Sequence, residues 1–109
     1  MVTRISTKII PIYCLYRRFY NCLEVNLFHV ESGENLFGEF VHGYVKLSVR
    51  PVFQRNDGVI TSWGGGVSFP IHLDAPVWDE KYRELTPDPE KEKELIDIVL
   101  KQLGAELSE

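Results

Sequence analysis

Between Leu23 and Leu27 the chain alternates strictly: Leu23, Val25 and Leu27 fall on one parity, Glu24 and Asn26 on the other. A period of two sends successive side chains to opposite faces of an extended backbone, so residues 23–30 are predicted as a half-buried strand. Residues 7–16, rich in Ile and Tyr, read as a strand before it. Pro11 has no N–H to offer a ladder, which predicts an edge position or a bulge for that strand. Glu31-Ser-Gly-Glu34 predicts a turn in which Gly33 is free to take positive φ. Residues 36–53 then alternate over too great a length for one flat strand. Phe37, Val41, Val45, Leu47 and Val49 share one parity, while Phe40, His42, Tyr44, Lys46, Ser48 and Arg50 share the other. Gly38 and Gly43 predict bends or bulges, hence one long coiled strand or two in succession.

Asn56-Asp-Gly58 is a strong hairpin signal, because Asn, Asp and Gly accept the positive φ of tight turns. Residues 59–63 form the predicted return strand, Gly64-Gly-Gly66 breaks the pattern, and residues 67–73 resume it. The proline-bearing stretch 74–87 reads as a loop. After it the period changes to that of a helix: Leu95, Ile96, Val99, Leu100 and Leu103 make one stripe, while Asp97, Lys101 and Gln102 face away. Asp88 suits the N-cap, Pro89 the first helical position, and Gly104 the left-handed exit, which predicts a helix over 88–103. The final residues, 105–109, are expected to fray. These elements predict an α+β fold, an antiparallel sheet of about five to six strands with one C-terminal amphipathic helix packed on it.

A length of 109 residues fits one domain spanning residues 1–109. Hydrophobic residues at 44% and charged residues at 26% match a globular chain rather than a disordered one. The net charge of −4 is unevenly distributed: residues 1–58 carry seven basic and five acidic side chains, and residues 59–109 carry five and eleven. This asymmetry is compatible with one mildly basic and one acidic face. Two cysteines, Cys14 and Cys22, are too few for a disulfide scaffold and are expected as half-buried free thiols. Pro11 and Arg17-Arg18 interrupt the apolar start of the chain, so it does not read as a signal peptide, and no stretch is long enough to cross a bilayer. The expected location is cytoplasmic, without a membrane partner.

Few residues are arranged for catalysis. His29, His42, His72, Cys14 and Cys22 have no metal-finger spacing, although His29 and His42 could face each other across the turn at 31–34; no metal or other cofactor is expected. Arg17-Arg18 between the cysteines could lower a thiol pKa, but no Cys–His arrangement follows. The glycine run lacks the Lys-Ser/Thr of a phosphate loop and no helix opens after it, so a bend is expected instead. The chain therefore reads as non-enzymatic. Aromatic residues mixed with positive charge are more suggestive. Tyr13, Tyr16, Arg17, Arg18, Phe19 and Tyr20 cluster in sequence, and Lys46, Arg50 and Arg55 lie along the long strand and its hairpin. Aromatic faces can stack bases while cations track phosphates.

From residue 36 onward the order of features resembles the stage V sporulation protein G family, small bacterial regulators. The residues that carry the resemblance are Phe40-Val-His-Gly-Tyr-Val-Lys-Leu47, then Gly66-Val-Ser-Phe-Pro70, then Asp79-Glu-Lys-Tyr-Arg-Glu-Leu-Thr-Pro87, and the terminal helix to residue 103. Tyr82, Arg83 and Glu84 match the family's aromatic-Arg-acid core, with Pro70 and Pro87 as flanking prolines. The resemblance implies a homodimer with a β-sheet core that binds DNA or RNA. The chain departs from the family in having Ile71-His-Leu-Asp-Ala75 where a basic pair is usual, and in the acidic opening of its helix. The resulting expectation is a regulatory nucleic-acid-binding domain using Lys46, Arg50, Arg55, Lys81 and Arg83. The competing expectation is a protein-interaction module or inhibitor acting through an edge strand or the acidic C-terminal face.

Overall fold

Strand pairing organises the chain around one alternating segment. The computed structural model describes residues 2–14, 20–41, 43–63, 65–71 and 88–108. In chain order these form β1 (Val2–Cys14), β2 (Cys22–Val30), β3 (Gly33–Glu34), β4 (Phe40–Val41), β5 (Tyr44–Gln54), β6 (Ile60–Trp63), β7 (Val67–Ile71), the helix α1 (Pro89–Leu103) and β8 (Ala105–Leu107). Among the described residues, six strands build an antiparallel sheet in the order β6-β5-β2-β1-β8, and β7 also pairs with β5. β7 runs along Val45–Val49 and β6 along Val52–Gln54, so the two lie end to end on the outer side of β5. β3 and β4 form a separate two-stranded arm.

The register assigns each side chain to a face. Residues directly opposite in an antiparallel pair point the same way. Leu23, Val25 and Leu27 of β2 stand opposite Pro51, Val49 and Leu47 of β5, and opposite Ile10, Lys8 and Ser6 of β1. On this face Leu23, Leu27, Val45, Leu47 and Val49 join Ile12 and Cys14 and meet Leu95, Ile96 and Val99 of α1 in one buried cluster. Burying each aliphatic side chain contributes about 1.5–3 kcal/mol, so these three helix residues bring on the order of 6 kcal/mol before conformational entropy opposes it. The sheet therefore has a helix side and a side turned away from the helix.

The helix forms as its sequence requires. Asp88 Oδ1 accepts from the Glu90 N–H at 3.0 Å, Pro89 occupies the first turn, and Gly104 ends the helix at φ 62°. That left-handed residue turns the chain back on itself. Ala105–Leu107 consequently pairs with Ile12–Cys14, and the Ser108 N–H reaches Pro11 O at 3.0 Å. The expected frayed tail is a strand, because the cap redirects the chain along the end of β1. Among the described residues no helix is long and apolar enough to cross a membrane.

Other expectations change in detail. β1 begins at Val2 and, among the described residues, lies at the sheet edge over most of its length, as Pro11 suggested; its bulge falls between Arg4 and Ser6. Positive φ occurs at Gly38 (77°), Gly58 (87°) and Gly104, not at Gly33, which pairs with Val41 in the arm. The turn expected at 31–34 instead occupies Asn35–Gly38, where Asn35 Oδ1 accepts from the N–H groups of Phe37 and Glu39 at 2.9 and 3.0 Å. The long 36–53 run divides at Gly43, and β5 continues to Gln54. The Asn56-Asp-Gly hairpin is present, with the Arg55 N–H bonded to Val59 O at 2.8 Å. β2 is not half-buried: Glu24 and Asn26 are 3% and 1% exposed. His29 is buried on the helix side opposite Val45. Gly64, His42, His72 and the loop at 74–87 lie outside the described residues.

Candidate nucleic-acid interface

The side of the sheet turned away from α1 carries the candidate site. Reading the register across β1, β2 and β5 gives successive rows on this face: Val2–Val30–Tyr44, Arg4–Phe28–Lys46, Thr7–Asn26–Ser48, and Ile9–Glu24–Arg50. The bulge after Arg4 makes this arrangement possible. Without the extra residue, Arg4 and Thr7 could not both face the same way as Phe28 and Asn26, since one residue of slip inverts every side chain.

Two rows matter chemically. In the first, Phe28 lies between Arg4 and Lys46, and the Lys46 Nζ sits 5.6 Å from the Phe28 ring centroid. Arg4 is exposed, and Phe28 and Lys46 are half-buried. In the second, Thr7, Asn26 and Ser48 set polar groups side by side, and β7 extends the row with the exposed Ser68 opposite Ser48. The Thr7 hydroxyl donates to Asn26 Oδ1 at 2.7 Å, and Asn26 Nδ2 donates in turn to Glu24 Oε1 at 2.6 Å.

Arg50 completes this chain of hydrogen bonds. Its Nε donates to Glu24 Oε1 at 2.8 Å and its Nη2 approaches the same oxygen at 2.6 Å. The Glu24 side chain is 4% exposed and that of Arg50 34% exposed. Burying a carboxylate is unfavourable unless a cation and hydrogen bonds satisfy it, and here Arg50 and Asn26 do so. The guanidinium is thus committed largely to the protein's own acid.

The three expected contact residues that are described do not form one patch. Lys46 and Arg50 share the face, separated by Ser48, about 13 Å apart along the strand at ~3.3 Å per residue. Arg55 lies in the β5–β6 hairpin, where its Nη2 pairs with Asp57 at 2.6 Å in the open. Lys81 and Arg83 lie outside the described residues, as do Tyr82, Glu84 and Pro87 of the motif, and Tyr16, Arg17, Arg18 and Phe19 of the aromatic-basic cluster. Sequence reasoning missed Arg4 and Phe28. Phe28 shares the parity of Glu24 and Asn26, a readable signal; Arg4 precedes the expected strand and gains its neighbours only through the β1–β2 register.

The remaining chemistry is sparse. Among the described residues no three His, Cys, Asp or Glu side chains come together as metal ligands. Cys14 points to the helix side and Cys22 to the other, so the two free thiols lie on opposite faces of the sheet. Burial pushes both thiols above their ordinary pKa, opposite to the lowering that Arg17-Arg18 suggested. Gly66 approaches β5 closely: a methyl group there would fall on Val49 O and 2.8 Å from Arg50 Cα. The glycine run thus serves strand packing at that position.

Surfaces for the competing reading are also defined. Among the described residues, β1 has an outer neighbour only along Ile12–Cys14. The rest of that edge carries the bulge, Arg4 and Lys8, features that discourage an added strand. α1 carries Glu90, Glu92, Glu94 and Asp97 against Lys91, Lys93 and Lys101; Lys8 of β1 reaches Glu92 at 2.9 Å and Lys91 reaches Glu94 at 3.4 Å. No family model matches this chain, and no curated protein or solved structure matches it.

Proposed function

We propose that this protein is a non-enzymatic regulatory domain that binds single-stranded DNA or RNA across the side of the sheet turned away from the helix. The observation that carries this reading is the Arg4–Phe28–Lys46 row, an aromatic ring between two cations on three neighbouring strands. Such a row offers a face for base stacking with phosphate contacts on either side. The adjoining hydroxyl groups of Thr7 and Ser48 supply hydrogen-bonding edges, and the buried Asn26 amide links Thr7 to Glu24 beneath them. Arg50 acts by holding Glu24 and the strand surface in place, and Arg55 lies at the rim. The resemblance adds Arg83 to the proposed contacts, with Lys81 beside it in sequence, and a cytoplasmic homodimer as the working form. The competing protein-interaction reading rests on the β1 edge, which is blunted, and on the acidic stretch 74–97, of which 74–87 lies outside the described residues.

The test is fluorescence anisotropy with labelled single-stranded DNA and RNA across a salt series. Affinity is expected to fall steeply with salt, and Arg4→Gln and Lys46→Gln are each expected to reduce the log–log slope by about 0.7. Binding by neither nucleic acid at low salt, or binding independent of salt, refutes the proposal.

A further inference from the structure

Phe28 has an aromatic neighbour on its own face of the sheet. Lys46 stands directly opposite Phe28, and Tyr44 lies two residues before Lys46 on β5, so Tyr44 is the diagonal neighbour of Phe28. Diagonal positions in an antiparallel pair are about 7–8 Å apart. Both aromatic residues are half-buried. Beside Tyr44, the half-buried Val30 and the exposed Val2 continue an apolar strip across β2 and β1. Lys46 adjoins both rings: it follows Tyr44 on the same face of β5, and its ammonium is 5.6 Å from the Phe28 ring centroid.

This spacing decides what form of strand can use both rings. Successive nucleotides of a duplex strand rise by ~3.4 Å along the axis. Rings about twice that distance apart do not each receive one of two bases that stay stacked on each other. A strand that engages both must have those bases splayed, which a single strand allows and a paired helix does not. Charge bounds the site at either end. Beyond Tyr44, residues 31–41 hold Glu31, Glu34 and Glu39 and no Lys or Arg, so a phosphate chain is repelled from the arm. Beyond Ser48, the Arg50 guanidinium is paired with Glu24. The stretch of β2 and β5 between these limits holds two bases rather than a longer run.

We propose that Tyr44 is a second stacking platform, and that this face takes a splayed dinucleotide step of a single strand. One base lies on Phe28 and the next on Tyr44, with Lys46 on the phosphate between them and Arg4 on a flanking one. The inference rests on nucleic-acid binding at this face, and adds to it the number of bases held and their unstacked form.

The test is fluorescence anisotropy at low salt with short labelled strands of abasic deoxyribose units that carry none, one, two or three adjacent thymines. The second thymine is expected to tighten binding about tenfold over the first, the size of one base–aromatic stack. The third should add about twofold, from the additional register alone. Tyr44→Val, which suits a strand, should lose the gain from the second thymine with the salt slope unchanged, and Tyr44→Phe should keep it. Tyr44→Trp supplies a second readout: the two-thymine strand should quench its added indole fluorescence and the base-free strand should not. Ribose strands carrying uracils distinguish RNA from DNA, the same pattern being expected in at least one of them. A second base that adds nothing in either series, a gain that survives Tyr44→Val or is lost in Tyr44→Phe, an unquenched indole, or a duplex bound as tightly as its single strand overturns this inference. Salt-dependent binding in those cases leaves the broader reading standing, whereas no binding by any strand overturns both.

Discussion

Arg50→Met separates a structural role for Arg50 from a contact role. The substitution preserves much of the aliphatic stem but leaves the Glu24 carboxylate, 4% exposed, with the Asn26 amide as its recorded donor. Removing one partner of a buried ion pair costs about 3–5 kcal/mol, because a charge is left in a medium that solvates it poorly. The converse change, Glu24→Leu, should be milder. Arg50 has 34% of its side chain exposed and can turn its guanidinium towards water. The main cost there is the lost acceptor of Asn26, about 1–2 kcal/mol. Replacing both residues removes both charges, so Glu24→Leu/Arg50→Met is expected to be more stable than Arg50→Met alone. Urea denaturation with shared m-values measures all three. The predicted order of destabilisation is Arg50→Met, then the double variant and Glu24→Leu close together. An Arg50→Met variant milder than Glu24→Leu, or a double variant equal to the sum of the singles, would refute the view that burial of Glu24 dictates the placement of Arg50.

Three further outcomes test the packing. Gly66→Ala should destabilise the sheet by about 2 kcal/mol or more, since the added methyl meets the β5 backbone rather than a yielding side chain; thermal unfolding close to that of the parent would contradict this. The buried thiols, raised above their ordinary value of 9.0, should alkylate much more slowly in the native state than in urea at pH 8, as followed by mass spectrometry. The same shift has a definite sign in stability. With the folded pKa raised, both states hold the proton below pH 9, whereas above it the unfolded chain ionises first, so stability declines as pH rises past the ordinary thiol value. A Cys14→Ala/Cys22→Ala variant should lack that part of the decline, and an identical pH profile would count against it.

Local chemistry made much of the fold legible. The helix was readable because Asp88, Pro89 and Gly104 act within one turn of their own positions, and the 95–103 stripe has a period that only a helix aligns. β2 and β5 were readable for a similar reason: alternation at 23–27 and 45–49 separates an apolar face from a polar one, although on β2 the polar face is buried as well. The arm was less legible, because glycine marks a permissible turn without selecting it. Gly33 and Gly38 both qualified, and the bonds of Asn35 decided for Gly38. β8 was missed because nothing in Ala-Glu-Leu announces a strand; it forms where the Gly104 turn delivers it beside β1.

The candidate interface shows the same division. The sequence alone determined an α+β chain, the apolar stripe of its helix, the inward parity of its two central strands, and the presence of Lys46 and Arg50 on one side of β5. These are properties of spacing, and spacing is carried by neighbours in the chain. Tertiary structure alone decided that Arg4 stands in a row with Phe28 and Lys46, that Glu24 claims Arg50, and that Cys14 and Cys22 face opposite sides. Each of these depends on register and on one bulged residue between Arg4 and Ser6. Register is a contest among whole-strand pairings, settled by the burial of entire faces rather than by the preference of any one residue.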